Sequence, residues 1–350
     1  MAWAFLVSMF LLFVAICHCE LAKQSHNNRI FSSNANSTNT NNKYKISELI
    51  RASWLSIFLF VSVFSQAQSD SINFLKPSDT LNKPRRTGVY VGESVALGVT
   101  LIGLNQLWYK DYPKSSFHFI NDNNQWLQMD KLGHLYSTYH LGRLGAEMLH
   151  WSGASKKEQL IYGSTLGLGF LTVVEVFDGF SQEWGASSGD IIANVSGTAL
   201  YVSQELLWNE QRITPKFSFH QTKFASQRPE TLGTSLNEQI LKDYNGQTYW
   251  LSFNIQSFTK DSFTPKWLNL AFGYGGEGML YGKDAEAIQY SVFQNPYRQF
   301  YLSFDIDLTK IETKSHFLKS LFSVFNTLKI PAPTLQYDDF NGVKAHFIYF

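Results

Sequence analysis

The chain has 350 residues, room for one large or two ordinary domains. Lysine and arginine number 29 against 28 aspartates and glutamates, and this net charge of +1 argues against a general nucleic-acid binder, which carries a basic excess. Aromatic residues make up 16% (Phe 29, Tyr 17, Trp 9) and charged residues only 16%, the balance of proteins that lie against membranes, while a mean hydropathy of -0.15 means that any membrane part is diluted by polar regions.

From the N-terminus, Ala2 to Ile16 is an apolar run short for a spanning helix and suited to a signal core. Asn27 to Asn42 is polar and cannot form a core. A second signal-like unit follows: Lys43, Lys45 and Arg51 as the basic region, Trp54 to Phe64 as the apolar region, and Ser65-Gln66-Ala67 as a small-x-small cleavage site. Residues 1–67 therefore read as targeting sequence, with 46–67 the working signal and 1–45 an over-extended start; a genuine first signal followed by a membrane helix is the alternative. Cys17 and Cys19 both fall in the first apolar run, so a chain cleaved after residue 67 has no disulfide and no cysteine metal site. Cys17 follows Val14-Ala15-Ile16, a poor lipoprotein signal, and the second segment has no cysteine.

Residues 68–88, with Pro77, Lys83, Pro84, Arg85 and Arg86, read as a linker. Residues 89–212 read as a helical domain of about four apolar helices, membrane-embedded or membrane-apposed. Val89 to Trp108 has a single charge, Glu93; Met129 to His150 carries Lys131, His134, His140, Arg143 and Glu147 and cannot face lipid on all sides. Gln159 to Phe177 has Gly163, Gly167 and Gly169, a spacing that lets helices approach; Ile191 to Trp208 contains Asn194 and Glu205. Trp108, Trp126, Trp151, Trp184 and Trp208 near the ends of these segments fit an interfacial belt or ordinary helix-end packing. After Arg212 the period changes to two. At least four strands are expected, at 249–256, 268–274, 300–308 and 343–350, with a helix at 316–328 stopped by Pro331 and Pro333. The fold class is thus α+β: a helical bundle, then a strand-rich domain over 213–350. The terminal Phe350 after an alternating strand resembles the last strand of an outer-membrane barrel, and suggests a barrel-associated component.

One constellation carries the chemistry. Asp130 and His134 are spaced i,i+4 on one helix face, as are Arg143 and Glu147. Glu175 and Asp178 end the third helix; Ser187 or Ser188 caps the fourth, with Asp190 in its first turn and Asn194 one turn on. A bundle can bring these faces together, so Asp130, His134, Glu175, Asp178, Asp190 and Asn194 are the candidate site. They can act as caps and buried pairs, as a catalytic group with His134 as general acid or base, or as an oxygen-rich metal site, although the His-x-x-x-His spacing is missing. Ser188 is a poor nucleophile, since no Gly-x-Ser-x-Gly elbow surrounds it. No cofactor is read from the sequence, and the metal question is left open.

Asp-Lys-x-Gly-His at 130–134, Glu-x-x-Asp-Gly at 175–179 and Ser-x-Asp-x-x-x-Asn at 188–194 resemble the family known as domain of unknown function 2279, described as predicted periplasmic lipoproteins. The layout over about 89–208 is also similar to VanZ-like membrane proteins, linked to glycopeptide-antibiotic resistance, whose final Asn-x-x-Gly has its match in Asn194 to Gly197. The VanZ-like Gln and Arg have no clear counterpart beyond Gln182, and the lipoprotein cysteine is absent. The resemblance implies an exported, periplasm-facing envelope protein and supplies no reaction. The expected function is a non-enzymatic, membrane-associated structural or lipid-linked-ligand binding factor. The alternative is an envelope hydrolase or transferase acting on lipid or peptidoglycan precursors through His134 and the acids. The expected partner is a membrane lipid or lipid-linked envelope component, with no nucleic acid.

Overall fold

The computed structural model describes residues 74–110 and 112–349. The stretch read as targeting sequence, its two cysteines and Phe350 lie outside the described residues, as does the side chain of Trp108.

Four long helices come first. α1 spans Lys83–Leu104 and continues into a π-helical turn, Asn105–Tyr109. It starts inside the stretch expected to be a linker, because the Asn82 side chain accepts from the Arg85 amide and Pro84 suits the first turn. α2 spans Met129–Trp151. A capped turn at Lys156–Glu158 and a π-helical turn at Gln159–Gly163 lead into α3, Leu166–Gly179, and α4 spans Ser188–Leu207.

Only two helical stretches among the described residues, Lys83–Leu104 and Lys156–Gly179, are long and apolar enough to cross a membrane, not about four. α2 and α4 fail for a physical reason: their polar side chains are used inside the protein. On α2, His140 Nε2 meets the Pro215 carbonyl at 2.8 Å. Arg143 donates to Glu147 (3.0 Å), to Ser323 Oγ (2.7 Å) and to the Ser323 carbonyl (2.9 Å). On α4, Gln204 Oε1 accepts from the amides of Arg212 and Ile213.

The helices pack closely where glycine removes the side chain. A Cβ on Gly145 would lie 2.5 Å from the Gly163 carbonyl oxygen, and one on Gly163 2.5 Å from the Ala146 nitrogen. Gly167 is equally confined against Thr138, whereas Gly169 faces open space and has no such role. Trp126, Trp151 and Trp184 are buried, which settles them as helix-end packing rather than an interfacial belt.

Two short strands, β1 (Phe119–Ile120) and β2 (Ala186–Ser187), form a parallel bridge between the loops entering α2 and α4. The remaining strands are β3 (Ile213–Phe219), β4 (Gln247–Asn254), β5 (Leu268–Glu277), β6 (Tyr297–Ile306), β7 (Ala332–Asp338) and β8 (Gly342–Tyr349). They make one antiparallel meander in chain order, in keeping with the expectation of at least four strands; β3 and β7 are added to the four that alternation located. Helix α5, His316–Phe325, precedes β7.

The sheet is strongly curled. β3 and β6 are three strands apart, about 14 Å if the sheet were flat, yet Lys216 Nζ of β3 sits 2.7 Å from Asp305 Oδ2 of β6. Residues 327–329 cover the outer edge of β3, with Phe217 donating to the Thr327 carbonyl and Lys329 to the Phe217 carbonyl.

The polarity of this sheet is inverted. Its concave side holds Lys216, Ser252, Asn269, Ser303, Asp305 and Gln336, all buried. They are joined by bonds such as Ser252 Oγ to Asp305 (2.6 Å) and Asn254 Nδ2 to Asn269 Oδ1 (2.7 Å). The alternate positions, Leu251, Phe272, Phe300, Leu302, Phe304, Leu335 and Tyr337, are exposed. A water-soluble half-buried strand has the opposite arrangement.

Candidate functional site

The site lies where the starts of α2 and α4 meet the end of α3. Ser187 is the N-cap of α4, its hydroxyl accepting from the Asp190 amide (3.2 Å), and Asp190 lies in the first turn. Asp130 lies in the first turn of α2. Both carboxylates therefore sit at the positive end of a helix dipole. The β1–β2 bridge places the loop after Ile120 against Ser187, so Asp122 Oδ1 accepts from the Ser187 hydroxyl at 2.6 Å. Glu175 of α3 accepts from the Ser187 amide at 2.9 Å. One serine thus ties two acids to the helix start.

Lys131 is the hub. Its ammonium lies 2.7 Å from Asp122, 2.8 Å from Asp130 and 3.0 Å from Asp190. Burial would depress this lysine, but the carboxylates, Asp130 and Asp190 foremost, override it and hold its pKa above the ordinary range. Burial, reinforced by the charge of Asp190, pushes Asp130 up to about 6.

His134 is one turn further along α2 and about 1% exposed. Its Nδ1 is 2.9 Å from Asn194 Oδ1. An amide oxygen only accepts, so Nδ1 carries the hydrogen and Nε2 points its remaining valence at Glu175 Oε1 and Asp190 Oδ1, both 3.7 Å away. Neither approach is a hydrogen bond. Burial would lower the His134 pKa, and the charges of Asp190 and Glu175 more than reverse this.

Of the six expected residues, five converge: Asp130, His134, Glu175, Asp190 and Asn194. Asp178 accepts from the Tyr109 hydroxyl (3.1 Å) and stands outside the two tight groups, His134–Glu175–Asp190 and Asp122–Asp130–Asp190. Ser188 is exposed at the start of α4. Sequence reasoning missed Asp122, which sits in a run of asparagines that reads as a loop, and it gave Lys131 no central role. The nearest signal was that Lys131 follows Asp130 in a helix start where an unpaired lysine would oppose the dipole.

Here is a buried carboxylate–lysine–histidine centre clamping three helices of the bundle. Residues 118–205 match the family model described as Predicted periplasmic lipoprotein (DUF2279), the family that the motifs resemble. That description supports a periplasmic, cell-envelope location and names no reaction. The likeness to VanZ-like proteins rests on the motifs alone. No curated protein and no solved structure matches the chain significantly.

Proposed function

We propose that the chain is an exported envelope protein that seats against membrane lipid and works without catalysis, as a structural factor or as a binder of a lipid-linked envelope component. Residues 46–67 serve as the export signal in this reading. The observation that carries it is the inverted sheet, polar on its concave side and lined outside by Leu251, Phe272, Phe300, Leu302, Phe304 and Leu335. Lipid-facing strands alternate in this sense, because hydrocarbon rewards apolar side chains outward and polar groups must find partners within. The span-length helix α1 adds Val91, Val95, Val99 and Ile102, each more than half exposed. Contiguous apolar surface of this kind marks an interaction site rather than a solvated face.

The test is fractionation of the expressed protein with carbonate extraction of membranes and mass determination of its N-terminus. Carbonate-resistant protein beginning near Gln68 is the expected result; release into the soluble fraction would remove the membrane reading.

The alternative, an envelope hydrolase or transferase acting on lipid or peptidoglycan precursors, has the His134–Glu175–Asp190 grouping in its favour. Against it stands the burial of all three, which a substrate has to overcome by opening the bundle. The His134→Ala variant separates the two. Reduced cellular abundance is expected from loss of a structural tie; full abundance with a lost cellular phenotype would favour the enzyme.

A further inference from the structure

We propose that the end of the bundle formed by the starts of α1 and of the Lys156–Gly179 stretch seats on the headgroups of an anionic phospholipid bilayer, with Lys83, Arg85 and Lys157 toward the phosphates. It rests on the membrane-seated reading, and adds which end meets the headgroups and what charge they carry.

Three features support it. The first is the arrangement of the two apolar stretches. They have 22 and 24 residues, about 33 and 36 Å of helix against about 30 Å of hydrocarbon in a bilayer. They run parallel and side by side. Near their starts, Arg86 pairs with Glu158 at 2.8 Å, and the rings of Tyr90 and Tyr162 meet edge-on at 6.3 Å. Near their ends, the Tyr109 ring meets Phe177 at 5.4 Å and the Tyr109 hydroxyl donates to Asp178. The contacts advance together along both stretches, so both starts lie at one end. Outward, α1 shows Val91, Val95 and Val99, and the second stretch Ile161, Val173 and Val176.

The second is charge. That one end gathers Lys83, Arg85, Arg86, Lys156 and Lys157. Glu158 answers Arg86 and Glu205 answers Lys156, so the excess falls on Lys83, Arg85 and Lys157. The first turn of α1 holds no acid, although a helix dipole favours negative charge there. The cations therefore work against the helix that they begin and suit an anion from outside. Basic side chains beside an apolar face are the combination that holds a protein on anionic lipid.

The third is what accompanies the charge. The Lys156–Glu205 ion pair brings the end of α4 to the same place. There Leu206 and Leu207 are exposed, and Arg212 lies over the Trp208 ring at 4.7 Å with Phe258 beside it at 5.7 Å. The loop after Phe258 carries Phe263, 95% exposed. Apolar and aromatic side chains among cations fit the boundary between headgroups and acyl chains. A surface that takes only a free phosphate has no use for them.

The experiment uses the full chain purified in detergent and diluted into preformed vesicles, either phosphatidylcholine alone or phosphatidylcholine mixed with phosphatidylglycerol, with bound protein read by flotation. Association with the mixed vesicles is expected to be tenfold tighter or more at low salt, and the difference should close as sodium chloride is added. The double variant Lys83→Glu, Lys157→Glu is expected to lose most of that preference while keeping its association with phosphatidylcholine. An acid in place of Lys83 suits the start of α1, so the fold should hold. Equal association with both vesicles, a preference indifferent to salt, or a preference retained by the double variant would overturn the inference and leave membrane seating in place. Association with neither kind overturns it as well, and the carbonate fractionation then decides separately whether the seating falls with it. Stronger displacement by inorganic phosphate than by chloride at equal ionic strength would assign the charge to a free anion and remove the bilayer. If the double variant fails to fold, the lipid preference and salt dependence of the unaltered chain decide.

Discussion

Replacing Lys131 by methionine is expected to cost about 3–5 kcal/mol of stability, the loss typical of breaking a buried ion pair from one side. The lysine side chain is 13% exposed and the three carboxylates around it are buried more deeply still. Without the ammonium, Asp122, Asp130 and Asp190 are left close together in a dry site with their shared counter-charge gone, and Asp130, already pushed up to about 6 beside the lysine, is driven further toward its protonated form. The loss should therefore depend on pH. The folded-state pKa of Asp130 in the variant lies above its unfolded value, so the folded state binds more protons and stability falls as pH rises through that folded value. The penalty relative to the unaltered chain should be larger at pH 8 than at pH 5. Urea unfolding of the detergent-purified protein at the two pH values checks this. Equal stability of variant and parent at pH 8 would mean that Lys131 is not the counter-charge of the centre.

The second large effect belongs to the concave side of the sheet. Asp305 lies between two fully buried ammonium groups, Lys216 at 2.7 Å and Lys329 at 4.0 Å. Asp305→Asn leaves both lysines without a carboxylate and is expected to cost about 3–5 kcal/mol. Lys216→Met leaves Asp305 still paired with Lys329 and should cost distinctly less. Unfolding measured by near-ultraviolet dichroism distinguishes the variants through the buried Trp250, whose ring faces Lys329. A Lys216→Met variant less stable than Asp305→Asn would contradict the view that one acid serves two bases.

Much of the centre was legible from spacing. Asp130 and His134 share a face because they are four apart, and Ser187 with Asp190 reads as a cap and a first turn; both readings are local. Asp122 was not legible, because its role depends on a two-residue bridge between segments more than sixty positions apart. Arg143 and Glu147 form the helix pair that their spacing predicts, while the second partner of Arg143, Ser323, belongs to α5 and lies beyond any local pattern. In the sheet, β4, β5, β6 and β8 announced themselves by alternation. β3 was obscured by Pro215 and Lys216 inside it, and β7 by the prolines that read only as a helix stop. Alternation sorts residues onto two faces and is silent on which face looks outward, so the inversion emerges only when the curl brings Lys216 to Asp305. The count of apolar helices erred because α2 and α4 bury polar side chains against the rest of the molecule, which composition alone does not reveal.

An inverted sheet also sets how the protein behaves in water. The hydrogen-bonded ladder can close in water, but it then displays a row of phenylalanines and leucines to the solvent, and β8 carries Phe347 at 95% exposure and Ile348 beside it. Such a surface is most readily satisfied by another like it. The native fold and the aggregate therefore compete for the same face, and dilution, an escort or prompt delivery tips the outcome.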